Sequence, residues 1–150
     1  MIKTLTFKLR LLTLLFLVPA AAPCWAQPTI NIQVKTILAS QDGEGIDPGL
    51  GSLLKDLQSV FRYSSYKVLG QNSLSLQLNE SGNVALPGDR VLNITPKAVS
   101  DGRATLKLDI FTPKRQIFQT VIRLRNNSSL TVGGPKYRGG FLLFNIYSSY

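Results

Sequence analysis

Apolar and polar residues alternate with a period of two through most of the chain, which is the signature of half-buried β-strands. Ile30, Ile32 and Val34 alternate with Asn31, Gln33 and Lys35. Near Thr36 the phase changes, because Ile37 and Leu38 are adjacent apolar residues, and this predicts a bulge or strand end there. Further along, Arg62 to Gly70 has strand-like composition, and Ser73 to Asn79 alternates through Leu74, Leu76 and Leu78. Val84 to Leu86 is a short strand, and Arg90 to Thr95 turns Leu92 and Ile94 inward before Pro96 interrupts the ladder. Between Arg103 and Phe111, Ala104, Leu106, Leu108 and Ile110 face in while Arg103, Thr105, Lys107 and Asp109 face out. Phe118, Thr120, Ile122 and Leu124 then define the dry side of a strand that carries Gln119, Arg123 and Arg125 on its other side.

Turn chemistry punctuates these runs. Asp101 and Gly102 form a strong turn signal, and Asn126 and Asn127 tolerate the positive φ of a tight turn, predicting a hairpin that returns through Leu130 and Val132. Gly133 to Gly140, GGPKYRGG, reads as a flexible basic loop or a hairpin connection before a closing strand through Leu142, Phe144 and Ile146. One segment breaks the two-residue period: Leu50, Leu53, Leu54, Leu57 and Phe61 recur at helical spacing. Asp47 stands at the N-cap of this predicted three- to four-turn helix and Pro48 at its first position. The pattern predicts a mainly β fold, an antiparallel sandwich or small open barrel of about seven to nine strands with one amphipathic helix packed on it.

The first residues follow another rule. Lys3, Lys8 and Arg10 precede the apolar run Leu11 to Val18, and Cys24, Trp25 and Ala26 place small residues where a signal peptidase reads. A cleavable leader over residues 1–26 and a single β-rich domain over 27–150 are expected. The run is shorter than the roughly 20 residues of a spanning helix, so no integral span is expected after cleavage. Lipidation of Cys24 is disfavoured by Pro23 directly before it. Export assigns the chain to the periplasm or the extracellular space, including association with an outer membrane.

Charge sharpens this picture. The chain has 17 basic and 8 acidic residues and no histidine. Of the 14 basic residues beyond the leader, 8 lie after Asp101, where Asp109 is the one acid. Such asymmetry attracts anionic partners. The candidate anion- or partner-binding residues are Lys107, Arg123, Arg125, Lys136, Tyr137 and Arg138, with the basic side chains expected on one surface.

The same composition narrows the chemistry. Without histidine, and without cysteine beyond Cys24, histidine triads, cysteine nucleophiles and the usual zinc sets are excluded, and no cofactor or metal is expected. Asp42, Glu44 and Asp47 invite a calcium reading but lack the acid spacing of a calcium loop. Ser52 with Lys55 and Ser64 with Lys67 match S-x-x-K without a K-T-G strand, and no carboxylate pair for glycoside hydrolysis is evident. Gly134 and Gly139 have phosphate-loop spacing, but a strand follows where a helix is needed, so no nucleotide site is expected.

Thr120 to Leu124, the asparagine turn and Leu130 to Gly134 resemble, over about 15 residues, a hairpin of secretin outer-membrane channels. This resemblance implies a bacterial envelope as the compartment; the chain is too short to hold the rest of such a channel. Tyr150 after alternating Leu142, Phe144 and Ile146 likewise resembles the last strand of an outer-membrane barrel, whose lipid-facing strands are longer than several here. The expected function is that of an exported, non-enzymatic accessory or binding protein that engages an envelope protein through a sheet edge or basic face. The alternatives are a module for anionic glycan or lipid headgroups and a small envelope enzyme.

Overall fold

A computed structural model describes residues 27–43 and 45–150. The expected leader, Cys24 and Glu44 lie outside the described residues. Among the described residues there are nine strands: β1 (Ile30–Ser40), β2 (Gly45–Ile46), β3 (Ser65–Leu76), β4 (Gly82–Leu86), β5 (Arg90–Ser100), β6 (Arg103–Phe111), β7 (Gln116–Arg125), β8 (Ser128–Tyr137) and β9 (Gly140–Ser149). They form a five-stranded sheet in the order β2-β3-β1-β9-β8 and a four-stranded sheet in the order β4-β5-β6-β7. All pairings are antiparallel except the short parallel one between β2 and β3. One α-helix, α1 (Leu53–Val60), completes a β-sandwich.

Two cores explain the hydrophobic pattern. Between the sheets, Ile30, Ile32 and Val34 of β1 meet Leu92 and Ile94 of β5, Leu106, Leu108 and Ile110 of β6, and Leu142, Phe144 and Ile146 of β9. On the other side of the five-stranded sheet, Ile37, Ala39, Tyr66 and Leu143 pack beneath Leu50 and Leu57. The adjacent apolar pair Ile37 and Leu38 therefore marks no change of phase: β1 continues to Ser40, and at this end both of its faces are covered. A register shift does fall between Thr36 and Ile37, but the additional residue is Leu69 on β3.

The helical segment is shorter than its spacing predicts. Pro48–Leu50 forms a single 3₁₀ turn, Gly51 follows at φ 48°, and α1 itself holds 8 residues. Asp47 caps the 3₁₀ turn, its Oδ1 accepting from the Gly49 amide at 2.8 Å. Its Oδ2 accepts from the Val68 amide at 3.3 Å, which fastens the turn to β3. At the far end of α1, the Tyr66 hydroxyl donates to the Phe61 carbonyl.

Several strands outrun their predicted limits. β3 is continuous across Gly70–Asn72, and β5 passes through Pro96 with a register shift that leaves Lys97 unpaired. The asparagine turn does not close a two-stranded ladder, because β7 pairs with β6 and β8 with β9. Asn127, at φ 55°, instead carries the chain from one sheet to the other. The Asn126 side-chain amide donates to the Tyr150 carbonyl at 2.7 Å and accepts from the Tyr150 amide at 3.0 Å, pinning this corner. GGPKYRGG is strand and hairpin: β8 runs to Tyr137, with Gly134 and Pro135 in a register shift, and Arg138 and Gly139 form the turn.

Gly140 must lack a side chain, since a Cβ there would overlap the Ala39 carbonyl oxygen, whereas a Cβ at Gly70 would meet nothing within 4 Å. Gly140→Ala is expected to cost about 1–3 kcal/mol in urea unfolding through overpacking, and Gly70→Ala less than about 0.5 kcal/mol. Burial of the Tyr66 phenol pushes its pKa above the ordinary 10.0. The unfolded chain then ionises first, so this stabilisation is complete below pH 10 and is lost as pH rises through the folded pKa. Tyr66→Phe is expected to cost about 1–2 kcal/mol at neutral pH by freeing the Phe61 carbonyl, and to flatten the alkaline decline in stability.

Candidate functional site

The outer face of the four-stranded sheet follows from the alternation in β6 and β7. With Leu106, Leu108, Ile122 and Leu124 buried inside, the intervening residues face out, and the register sets Arg103 opposite Arg125, Thr105 opposite Arg123 and Lys107 opposite Val121. Lys107 is engaged within this face: its Nζ lies 3.0 Å from Asp109 Oδ2. Asp109 is only 4% exposed and also accepts from Gln116 Nε2 at 2.9 Å. Arg103, Arg123 and Arg125 instead surround the turn at Ser100, Asp101 and Gly102, lining a hollow of about 460 Å³.

The other three candidate residues lie elsewhere. Arg138 and Gly139 adopt φ of 42° and 75°, the paired positive values of a tight two-residue hairpin turn. Two guanidinium groups lie near the Tyr137 ring, with Arg138 Cζ 5.3 Å and Arg90 Cζ 5.9 Å from its centroid. Arg90 Nη1 donates to the Lys136 carbonyl at 2.9 Å, and Lys136 Nζ lies 5.7 Å from the Phe141 centroid. A hollow of about 500 Å³ borders this cluster.

Arg90 begins β5 and Ser100 ends it, so the two clusters occupy opposite ends of the sandwich. Eleven residues of strand separate them by about 30 Å. The six candidate residues thus do not share one surface: Arg123 and Arg125 come together, Lys136, Tyr137 and Arg138 come together, and Lys107 is held by Asp109. Sequence reasoning missed Arg90 and Arg103 as members. The outward phase of Arg103 and the short β6–β7 connection could have placed it opposite Arg125, but the meeting of Arg90 with Tyr137 joins two sheets and leaves no local signal.

Strand edges offer a second kind of surface, and their protection is uneven. β4 has 5 residues, β7 ends in Arg123 and Arg125, and β8 is broken at Gly134 and Pro135. These are the devices that blunt an edge. β3 differs: β2 covers Ser65 and Tyr66 and Asp47 reaches Val68, and past the irregularity at Leu69 no strand among the described residues pairs with the far side of Leu69–Ser73. That stretch, LGQNS, holds no charge and no proline. Beside it, Ile46 is 46% and Leu69 42% exposed, and both line a hollow of about 420 Å³ with Lys67 and Val68.

A third surface is the polar groove beside α1, about 320 Å³, where Gln33, Lys35, Gln71, Asn145 and Tyr147 face Leu53 and Asp56. Several of these groups are engaged internally: Lys35 donates to the Gly49 carbonyl, Asn145 to Thr131 Oγ1 and Tyr147 to Asn127 Oδ1. The Ser64 hydroxyl donates to the Gln41 carbonyl at 2.8 Å, holding the loop after β1. Among the described residues, no three Asp, Glu, Cys or His side chains converge as metal ligands, and no helix is long and apolar enough to cross a membrane. No family model and no curated protein matches the chain.

Because Lys107 compensates a buried carboxylate, Lys107→Ala is expected to cost about 1–3 kcal/mol in urea unfolding. Arg123→Ala removes an exposed side chain without an ion pair and is expected to change stability by less than about 0.5 kcal/mol.

Proposed function

We propose that this is an exported, non-enzymatic binding protein of the cell envelope, and that it takes an extended segment of a protein partner as an added strand along β3. The observation that carries this reading is the edge at Leu69–Ser73, where among the described residues no strand pairs and the stretch holds no charge or proline, the irregularity at Leu69 marking its start. Strand addition draws affinity from main-chain hydrogen bonds and specificity from hollows that receive alternate side chains. Both elements are available here. An incoming strand would extend the line of β2, and the hollow around Ile46, Val68 and Leu69 would receive an apolar side chain at the junction. The leader-like residues 1–26 support export; the resemblance of Thr120 to Gly134 to an envelope hairpin adds nothing, because β7 and β8 lie in different sheets.

A photo-crosslinking residue placed at Asn72, and separately at Asn83 on β4 as a control, tests this in the native host. A discrete heavier product from Asn72, absent from Asn83 and reduced at least tenfold by Leu69→Lys, is expected. Recovery of monomer alone from Asn72, or equal products from both positions, would contradict strand addition at β3.

A further inference from the structure

We infer that Arg103, Arg123 and Arg125 form a binding site for a compact tetrahedral oxyanion of the phosphate type. This goes beyond strand addition at β3 and does not depend on it. The inference starts from a local conflict in the sheet. Arg103 and Arg125 are direct cross-strand partners on an exposed face, and Arg123 is diagonal to Arg103 across the same ladder. Opposed side chains in such a pair have Cβ atoms about 4.5–5.5 Å apart, and like charges there repel. A carboxylate within reach would relieve such a pair, as Asp109 does for the single cation Lys107 on β6, whose cross-strand partner is Val121. At the arginines no such relief exists: among the described residues the Lys107–Asp109 contact is the one ion pair, and Asp101 at the adjacent turn pairs with none of the three.

The missing counter-charge defines the ligand. Three guanidinium groups supply up to fifteen N–H donors in rigid forks suited to bidentate oxyanion contacts. A carboxylate offers such forks two oxygens and a single charge, whereas a phosphate-type group offers more oxygens and more charge and so can engage several forks at once. The hollow of about 460 Å³ between the arginines and the Ser100–Gly102 turn admits a group of that size, and Ser100 adds a hydroxyl at its rim. Asp101 also lines the hollow and opposes an anion, so it lowers affinity without closing the site. A soluble phosphate ester and the phosphomonoester headgroup of a lipid present the same chemistry here.

The test uses the whole mature chain, inorganic pyrophosphate as the soluble probe, and phosphatidylcholine vesicles with and without one tenth phosphatidic acid. Calorimetry and vesicle sedimentation are run on the unaltered protein, on the double variant Arg103→Gln with Arg125→Gln, on Arg90→Gln with Arg138→Gln, and on Asp101→Asn. Saturable binding of pyrophosphate or of the acidic vesicles is expected, at least tenfold weaker in the first double variant, little changed in the second and about threefold tighter in Asp101→Asn. The first double variant is also expected to melt no lower than the unaltered protein, because its substitution removes a repulsion. Binding of pyrophosphate alone identifies a soluble phosphate compound, and binding of acidic vesicles alone identifies a headgroup; either supports the site. Absence of both, equal loss in the two double variants, or binding of poly-glutamate without either phosphate probe would overturn it.

Discussion

β1 is the wall that two hydrophobic cores share, and the remaining structure depends on its two faces being filled at once. It is the middle strand of the five-stranded sheet, paired on one side with β3 and on the other with β9. Ile30, Ile32 and Val34 are wholly buried between the sheets, and Ile37 and Ala39 are wholly buried under the helical segment. Full burial of a side chain such as Ile or Val contributes about 1.5–3 kcal/mol. A slip of one residue would send every one of these side chains to the opposite face. The polar end of the outer face, with Asn31, Gln33 and Lys35, could not accept Ile30, Ile32 and Val34 without exposing them. The register of β1 is therefore fixed by packing, and the irregularity that the sheet needs is taken up on β3 at Leu69.

Coverage by the helical segment is partial, and this decides which surfaces stay open. Leu50 and Leu57 lie over Ile37, Ala39 and Leu143, while the Gln33 and Asn145 end of the same face remains solvated beside α1. Asp47 draws the 3₁₀ turn against β3 as far as Val68. Beyond that point no described residue continues the line of β2, so the free edge at Leu69–Ser73 follows directly from the shortness of the cover. At the other corner, the paired hydrogen bonds between Asn126 and Tyr150 hold the crossing from β7 to β8. The molecule is closed firmly at this corner and left open along β3.

Where a residue's fate is set by its neighbours in sequence, it was legible. The inward set Ala104, Leu106, Leu108 and Ile110, the turn at Asp101 and Gly102, and the presence of one helical segment all follow from local periodicity and turn chemistry. What escaped depends on contacts across sheets. The irregularity expected near Thr36 does occur, but Ile37 and Leu38 are adjacent apolar residues because both faces of β1 are covered there, Ile37 by the helical segment further along the chain. Asn126 and Asn127 imitate a hairpin because the same positive φ serves a turn within a sheet and a crossing between sheets. Pro96 looks like a strand end, but a register shift absorbs it. The candidate site was legible in its residue types and not in its grouping, since grouping requires knowing that β8 runs away from Arg125.

That last point explains why a strongly basic second half yields two separate clusters. The chain leaves the four-stranded sheet at Arg125 and must travel the length of β8 before reaching Lys136 and Arg138, so one strand's length separates them by construction. Charges about 30 Å apart are nearly four screening lengths from one another at physiological ionic strength, where the Debye length is about 8 Å. Each cluster would therefore act on a ligand of its own at contact, and the overall positive charge would act through both only during encounter. An extended polyanion would have to span the sandwich to gain from both ends, while a compact anion needs only the Arg103–Arg125 end. Neither arrangement draws on Leu69–Ser73, so the uncharged edge is free to engage a protein strand whether or not either basic cluster is occupied.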